Sequence, residues 1–313
     1  MTLRRAWWLA ASLVAWVRPA SCADIVIGVP NWPSVNVTAH IIQVILETRY
    51  GAHVELQTAA NPVIFEAMAR GSMQIHPEVW LPNQQALYDR YAGELVRNAH
   101  PALGVQGICA TQAARDAGIS DVSDLTDPAK AVRLDSDADG QGEIFIGAPG
   151  WSSTLIERVR AEEYGYALLL KTVEIDEGLA ESQLAIAEKS AKPWVGFCYA
   201  PHHRFVLHPD LKLLSEPPYD ERRWHVPLPG QHDAAANVAM GWPPQLIQPV
   251  YSATLARRLP AAAILMKNMD LSSDEISRFS YEVVINKKDP GEYARSWVRS
   301  HPQRVASWLG QAN

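Results

Sequence analysis

Basic residues are in short supply in this chain: 28 Lys and Arg stand against 34 Asp and Glu, a formal charge of −6. A protein that grips nucleic acid must neutralise phosphates, so this deficit argues against a nucleic-acid partner. Cysteine is scarcer still, with 3 in 313 residues, which excludes a small disulfide-stapled scaffold. No apolar run reaches the ~20 residues of a membrane span. There is no GxxxxGK[ST] phosphate loop, so the chain cannot be its own ATPase. There is no HExxH zinc motif, and Gly150-Trp151-Ser152-Ser153-Thr154 lacks the second glycine of a nucleophile elbow. No acid/base pair or cofactor motif is assembled, so neither an enzyme nor a cofactor is expected. Phenylalanine is also rare, 5 against 11 Trp, although Trp is ordinarily the rarer residue. What remains is ordinary soluble composition, 48% hydrophobic and 20% charged, over a length that suits two domains at roughly 150 residues each. The surplus of the largest, most electron-rich ring needs a reason.

Residues 1–23 read as a secretory signal. Arg4 and Arg5 form a positive start, an apolar run of 12 covers 6–17, and Ser21-Cys22-Ala23 offers a small-x-Ala cleavage site before Asp24. Cys22 also permits a lipoprotein reading, but Pro19 stands where a lipobox usually has Leu. Removal of the segment leaves 25 basic against 34 acidic residues, a charge of −9, and the expected location is the periplasm. Cys109 and Cys198 then remain in an oxidising compartment, where they either pair or stay as two buried thiols.

The mature chain opens with the strand-like run 24–30, a helical stretch over 37–50 ended by Gly51, and an alternating segment over 52–57. A helix over 62–70 and a strand over 73–79 complete a strand–helix–strand–helix–strand rhythm, that of a parallel sheet with crossover helices. Further strands are expected at 105–110, 144–148, 194–199 and 211–214, with helices over 153–164 and 254–268 and a helical pair near the C-terminus. The fold class expected is α/β in two lobes, each a mixed, mainly parallel sheet flanked by helices. Lobe one would take 24–103 and 243–313, and lobe two 104–242. Such sheets place ligands at the carboxyl ends of their strands. Trp32 follows the first strand, Trp80 the run ending at Val79, and Trp151 the run ending at Ala148, while Tyr199 ends the strand that begins at Trp194. Four rings at equivalent places in two lobes point to a shared cleft. Aromatic faces attract cations without demanding hydrogen bonds, and quaternary ammonium groups are their usual ligand.

Glu78-Val79-Trp80-Leu81-Pro82, Ala148-Pro149-Gly150-Trp151 and Phe197-Cys198-Tyr199-Ala200-Pro201 resemble the substrate-binding proteins of glycine betaine, proline betaine and choline ABC importers, from about Asp24 to Leu309. The resemblance implies a type II periplasmic-binding-protein fold with ligand in the inter-lobe cleft. It implies capture of a quaternary-ammonium solute and delivery to a membrane permease driven by separate ATPase subunits. Glycine betaine or proline betaine is favoured, with choline next; an exported enzyme acting on a small methylated amine is the alternative. Trp80 and Trp151 match the family directly, Tyr199 stands for its more usual tryptophan, and Trp32 falls where choline-preferring relatives place a ring. Gln84 replaces a histidine that serves the ligand carboxylate in some relatives. Ser152 and Ser153, entering a helix with Ser/Thr at cap positions, would offer backbone N–H groups to an anion. His202, just past Tyr199, is expected to line the cleft, and Trp194, Trp224, Trp297 and Trp308 to pack elsewhere.

Two metal-like signals carry less. Asp135-Ser136-Asp137-Ala138-Asp139-Gly140 begins like a calcium loop but has Ile146 where the bidentate Glu belongs, and it reads as a polar turn. His202-His203 alone does not make a tetrahedral zinc site, and no metal is expected.

Overall fold

A computed structural model describes residues 24–227 and 235–311. The signal segment, with Cys22 and its cleavage site, lies outside the described residues. The chain folds as mixed α/β. Its strands run β1 (Ile25–Val29), β2 (Val54–Thr58), β3 (Ile75–Leu81), β4 (Leu95–Arg97) and β5 (Ala102–Ala110) in the first part. There follow β6 (Gly142–Gly147), β7 (Leu170–Glu174), β8 (Val195–Ala200), β9 (Lys212–Leu213) and β10 (Gln245–Ser252).

The opening β1 is a β-branched run, Ile-Val-Ile-Gly-Val, buried as a central strand should be. It pairs parallel with β2 and β3. The connecting helix Pro33–Tyr50 has Pro at its first position and ends at Gly51 in the left-handed region, φ 64°, a stop that only glycine adopts without strain. Its apolar face (Val35, Ile41, Ile42, Ile45) is fully buried. The C-terminal helices Ser273–Val284 and Pro290–Ser300 pack on this same helix. In the second half β6 pairs parallel with β7 and β8, while β10 and β5 run antiparallel to their neighbours.

The sheets expected to be separate meet in one strand. Hydrogen-bonded pairing continues in the order β2-β1-β3-β10-β5-β8-β6-β7. Within β5, residues Ala102 to Gly104 pair with β10, and Val105 to Ala110 pair with β8. The partner changes at Gly104, and the glycine is needed there. A Cβ at that position would stand 2.9 Å from the Ala200 carbonyl and 3.0 Å from both Trp80 Cζ3 and Ile247 Cδ1, inside normal contact distance. Three strands therefore crowd onto one residue, and two of them carry candidate cleft rings.

Cys109 and Cys198 are joined in a disulfide, Cα atoms 5.9 Å apart, between adjacent strands β5 and β8. This settles the cysteine alternatives. Both are completely buried, against Leu184 and Leu211.

The bond closes a loop of 89 residues, and cross-links of that span typically contribute about 2–4 kcal/mol. Replacing both cysteines with serine is expected to lower unfolding free energy by about that amount in a urea titration under oxidising conditions. Gly104→Ala is expected to cost about 1–3 kcal/mol in the same titration, as overpacking does. A variant matching the wild type would show that the junction yields freely.

Candidate functional site

The cleft is built from strand ends. Trp32 lies just past β1, immediately before the helix Pro33–Tyr50. Trp151 does the same past β6, before the helix Ser152–Tyr164. Trp80 is inside β3 rather than after it, paired with Ile247 of β10, and Tyr199 is inside β8. All four rings line one cavity of about 340 Å³, together with Ser152 and Ser153. Trp80 meets Tyr199 at 5.3 Å between centroids and 87° between planes, and Trp151 meets Tyr199 at 5.7 Å and 85°. Two indoles thus stand edge-on to one phenol as walls of a box, an arrangement that aromatic quadrupoles favour. The side chains expected to come together do so, except one.

His202 is that exception. It is 3% exposed and packs behind Tyr199, centroids 4.7 Å apart, rather than lining the cavity. Its Nδ1 accepts the backbone N–H of Arg204 at 3.1 Å, so the ring proton of the neutral form belongs on Nε2. Nε2 lies 3.2 Å from Glu177 Oε1, close but not aligned as a hydrogen bond. Burial and the neighbouring Arg204 hold the His202 pKa down to about 3. Burial and His202 itself bring His203 to about 3 as well, so both imidazoles are neutral at ordinary pH. His203 Nδ1 meets the Ser280 hydroxyl on the helix Ser273–Val284. Glu181, His202 and His203 bring potential ligand atoms within 4.8 Å of one another, but freeing His202 Nε2 would move its proton to Nδ1, which accepts the Arg204 N–H, and Arg204 Nε already donates to Glu181 at 2.5 Å.

Behind the box the rings are anchored by their polar hydrogens. Trp32 Nε1 donates to Glu78 Oε2 at 2.8 Å. Glu78 also accepts from the hydroxyls of Ser34 at 2.8 Å and Thr38 at 2.5 Å, residues one turn apart on the same helix face. Tyr199 donates its hydroxyl to Glu177 Oε1 at 2.9 Å. Trp151 Nε1 donates to Asn31 Oδ1 at 2.9 Å, a bond joining segments 120 residues apart. Burial holds the pKa of Glu78 above the usual carboxylate value, its three hydrogen bonds offsetting only part of the rise. Burial raises that of Glu177, with Arg204 pulling it down.

The helix beginning at Ser152 differs from the sequence expectation in its cap. Trp151 occupies the cap position and no side chain caps the end; Thr154 instead donates to the Ala148 carbonyl at 2.7 Å. Gly147, at φ 127°, leaves room for that hydroxyl, since a Cβ would come within 2.2 Å of Thr154 Oγ1. The first-turn N–H groups of a helix have no intrahelical acceptor, and here they open beside the cleft.

Four amides in the cavity wall have no counterpart in the sequence reading of the box except as a replaced histidine: Asn61, Asn83, Gln84 and Gln106. Asn83 donates to Gln106 at 2.8 Å, while Asn83 Oδ1 and Gln84 Oε1 are buried without a partner. Apart from the Tyr199 phenol the described wall carries no ionisable side chain. Nothing in local spacing marks these amides, because Asn83 and Gln84 sit in a turn, Asn61 at a helix start and Gln106 within β5, places that only tertiary folding brings together.

The other tryptophans pack against arginine or backbone. Trp297 stacks on Trp308 at 5.5 Å, with Arg304 over both, and Trp224 and Trp242 flank the buried Arg160. Trp194 lies against Gly196, whose added Cβ would meet the indole at 2.5 Å. The acidic turn gathers Asp135, Asp137, Asp139 and Glu143 with oxygens within 4.8 Å of one another; Lys171 lies 3.6 Å from Asp139 and supplies positive charge.

No helix among the described residues is long and apolar enough to cross a membrane. Several known proteins share this architecture. The chain is 24% identical to the trimethylamine N-oxide-binding protein of Pelagibacter ubique over 310 residues, 93% of each chain. It is 24% identical over 207 residues to the glycine betaine/proline betaine-binding periplasmic protein of Salmonella typhimurium, covering 62% of this chain and 60% of that one. An ABC-transporter choline-binding protein solved with choline superposes with a TM-score of 0.73 at 21% identity, over 94% of this chain and 93% of that one. The closed, glycine betaine-bound lactococcal OpuAC gives 0.71 at 19%, over 91% and 98%. The fold is therefore the two-lobed type II binding-protein fold. Residues 23–300 match the model of the substrate-binding domain of ABC-type glycine betaine transport systems, and the chain belongs to that family.

Proposed function

We propose that this protein captures a solute carrying a fully methylated, positively charged nitrogen and delivers it to a membrane permease served by separate ATPase subunits. The observation that carries this reading is the box itself: Trp80 and Trp151 edge-on to Tyr199 around a cavity whose wall has no acidic or basic side chain. A trimethylammonium group offers no N–H, so a salt bridge cannot hold it, whereas ring faces can. Each such contact is worth up to ~2 kcal/mol when desolvated. Three or four rings then supply about 6–8 kcal/mol, against about 8 for micromolar affinity.

The same cavity wall also carries polar groups. Ser152 and Ser153 bring an uncapped helix N-terminus, whose N–H groups suit an anion, while the unsatisfied oxygens of Asn83 and Gln84 are acceptors that suit a donor such as a hydroxyl. Glycine betaine and proline betaine, with a carboxylate beside the ammonium, match both the rings and the helix N-terminus; choline follows, then other methylated amines such as the N-oxide that the Pelagibacter relative is named for. Residues 24–103 with 243–313 form one lobe and 104–242 the other, so Asn31 and Trp151 bond across the cleft and closure over ligand would tighten that contact. Residues 1–23 serve as the export signal, which places the mature protein in the periplasm.

Calorimetry with glycine betaine, proline betaine, choline and trimethylamine N-oxide tests the ligand class; no heat from any of them on folded protein removes it. Trp80→Ala and Trp151→Ala are each expected to weaken binding by five- to thirtyfold, about 1–2 kcal/mol. Trp308→Ala should leave affinity unchanged while lowering stability. Equal losses at all three positions would mean that affinity follows general stability rather than the box.

A further inference from the structure

Two of the four cavity rings turn their polar hydrogens onto buried carboxylates, and those carboxylates share a second feature. Glu78 accepts from Trp32 and Ser34, the residues at the very start of the helix Pro33–Tyr50. Glu177 accepts from Tyr199 and is the first residue of the helix Glu177–Lys189. The helices span 18 and 13 residues, and a helix N-terminus stabilises an anion placed against it. Glu78 is 2% exposed and Glu177 5%, so water screens neither of them. Neither residue lines the cavity, and neither can touch a ligand.

From this arrangement we infer that Glu78 and Glu177 are positioning residues that act through the rings, setting the cavity's preference for a cation over an uncharged group of the same shape. A carboxylate accepting an indole N–H or a phenol O–H pushes electron density into the ring and deepens the negative potential at its face. Through a desolvated ring the carboxylate also attracts a cation directly, because unscreened Coulomb attraction falls only with the first power of distance. Burial raises the pKa of both carboxyls, and the donors around each favour the ionised form. Glu78 takes three hydrogen bonds from Trp32, Ser34 and Thr38. Glu177 faces the Arg204 guanidinium at 3.8 Å and the Nε2 of a neutral His202 at 3.2 Å. Glu181 pairs with that same arginine, so Glu177, Glu181 and Arg204 together carry one net negative charge behind Tyr199. By contrast Trp151 donates to the uncharged Asn31. The field is thus strongest at the Trp32 and Tyr199 rings and weaker at Trp151, the ring that precedes the helix N-terminus at Ser152.

This inference rests on the quaternary-ammonium reading, and the test separates the two. Binding of glycine betaine and choline is measured beside 3,3-dimethylbutanoate and 3,3-dimethylbutanol, in which tert-butyl replaces trimethylammonium, for the wild type, Glu78→Gln, Glu177→Gln and the double variant. Failure of the wild type to bind any of glycine betaine, proline betaine, choline or trimethylamine N-oxide overturns the functional reading, and this one with it, before any variant is made; if it binds only proline betaine or trimethylamine N-oxide, that ligand takes the place of the cation in the comparison. If the wild type binds, each glutamine, which still accepts the ring's hydrogen bond, should weaken choline and glycine betaine by about three- to thirtyfold, leave the uncharged 3,3-dimethylbutanol within twofold, and leave the anionic 3,3-dimethylbutanoate unchanged or tighter. The double variant should multiply the two losses. Melting of unliganded Glu78→Gln should hold or rise, since a desolvated charge without an ionic partner has been removed, whereas Glu177→Gln, which takes a carboxylate from Arg204, should melt at or below the wild type. Parallel loss of both ligand types, unchanged cation affinity, or collapse of the fold in both single variants would each assign the carboxylates to structure alone and overturn the proposal.

Discussion

An aromatic ring that offers its face to a cavity has to bury its edge, and the polar hydrogen on that edge then needs an acceptor out of reach of water. Much of this molecule follows from meeting that demand three times. Trp32 requires Glu78, which requires the hydroxyls of Ser34 and Thr38 on one face of the first helix. Tyr199 requires Glu177, which draws in Arg204 and, through it, Glu181. Trp151 requires Asn31 from a strand end 120 residues away. The walls of the cleft are therefore fixed from behind, by groups that never meet the solute.

The fourth ring is fixed differently. Trp80 lies within β3, and its position depends on backbone crowding at Gly104, where β5 changes partner from β10 to β8. One residue without a side chain lets the Trp80 ring, the Ala200 carbonyl and Ile247 approach together. The ring nearest the change of partner is therefore held by the strand that joins the two stretches of sheet. The disulfide between Cys109 and Cys198 ties β5 to β8 a few residues farther along, which stiffens the second half without crossing the cleft.

Much of this was legible in the sequence because the relevant signals are local. The β-branched run at Ile25, the proline and glycine bounding the first helix, and the Pro-Gly-Trp turn each declare an element in a handful of residues, and the surplus of tryptophan against phenylalanine announces the box. What stayed hidden depends on distant partners. β7 (Leu170–Glu174) and the helix Glu177–Lys189 are separated by two residues, with Asp176 capping the helix, too short a boundary to stand out in the interval after Gly165. Asn61, Gln84 and Gln106 are ordinary amides until folding brings them to one wall. His202 looked like a cleft residue from its nearness to Tyr199, but the backbone turns it behind that ring, where Arg204 takes its Nδ1. A rule based on chain proximity cannot distinguish the front of a ring from its back.

That distinction between front and back matters most for charge. A lysine or arginine in the cavity wall would repel a cation, and an acid there would pair with any amine, including those that carry N–H groups and could be held by a simple salt bridge. Keeping the wall neutral while burying Glu78 and Glu177 one layer deeper avoids both outcomes. The negative potential reaches the solute only through ring faces, which reward methylated surface as well as charge. Burying a carboxylate is costly unless it is well hydrogen-bonded, and each of these two lies at a helix start with its own ring as a donor. The helices thus do two jobs at once: they stabilise the buried anions, and they carry the residues that turn Trp32 and Tyr199 toward the cleft.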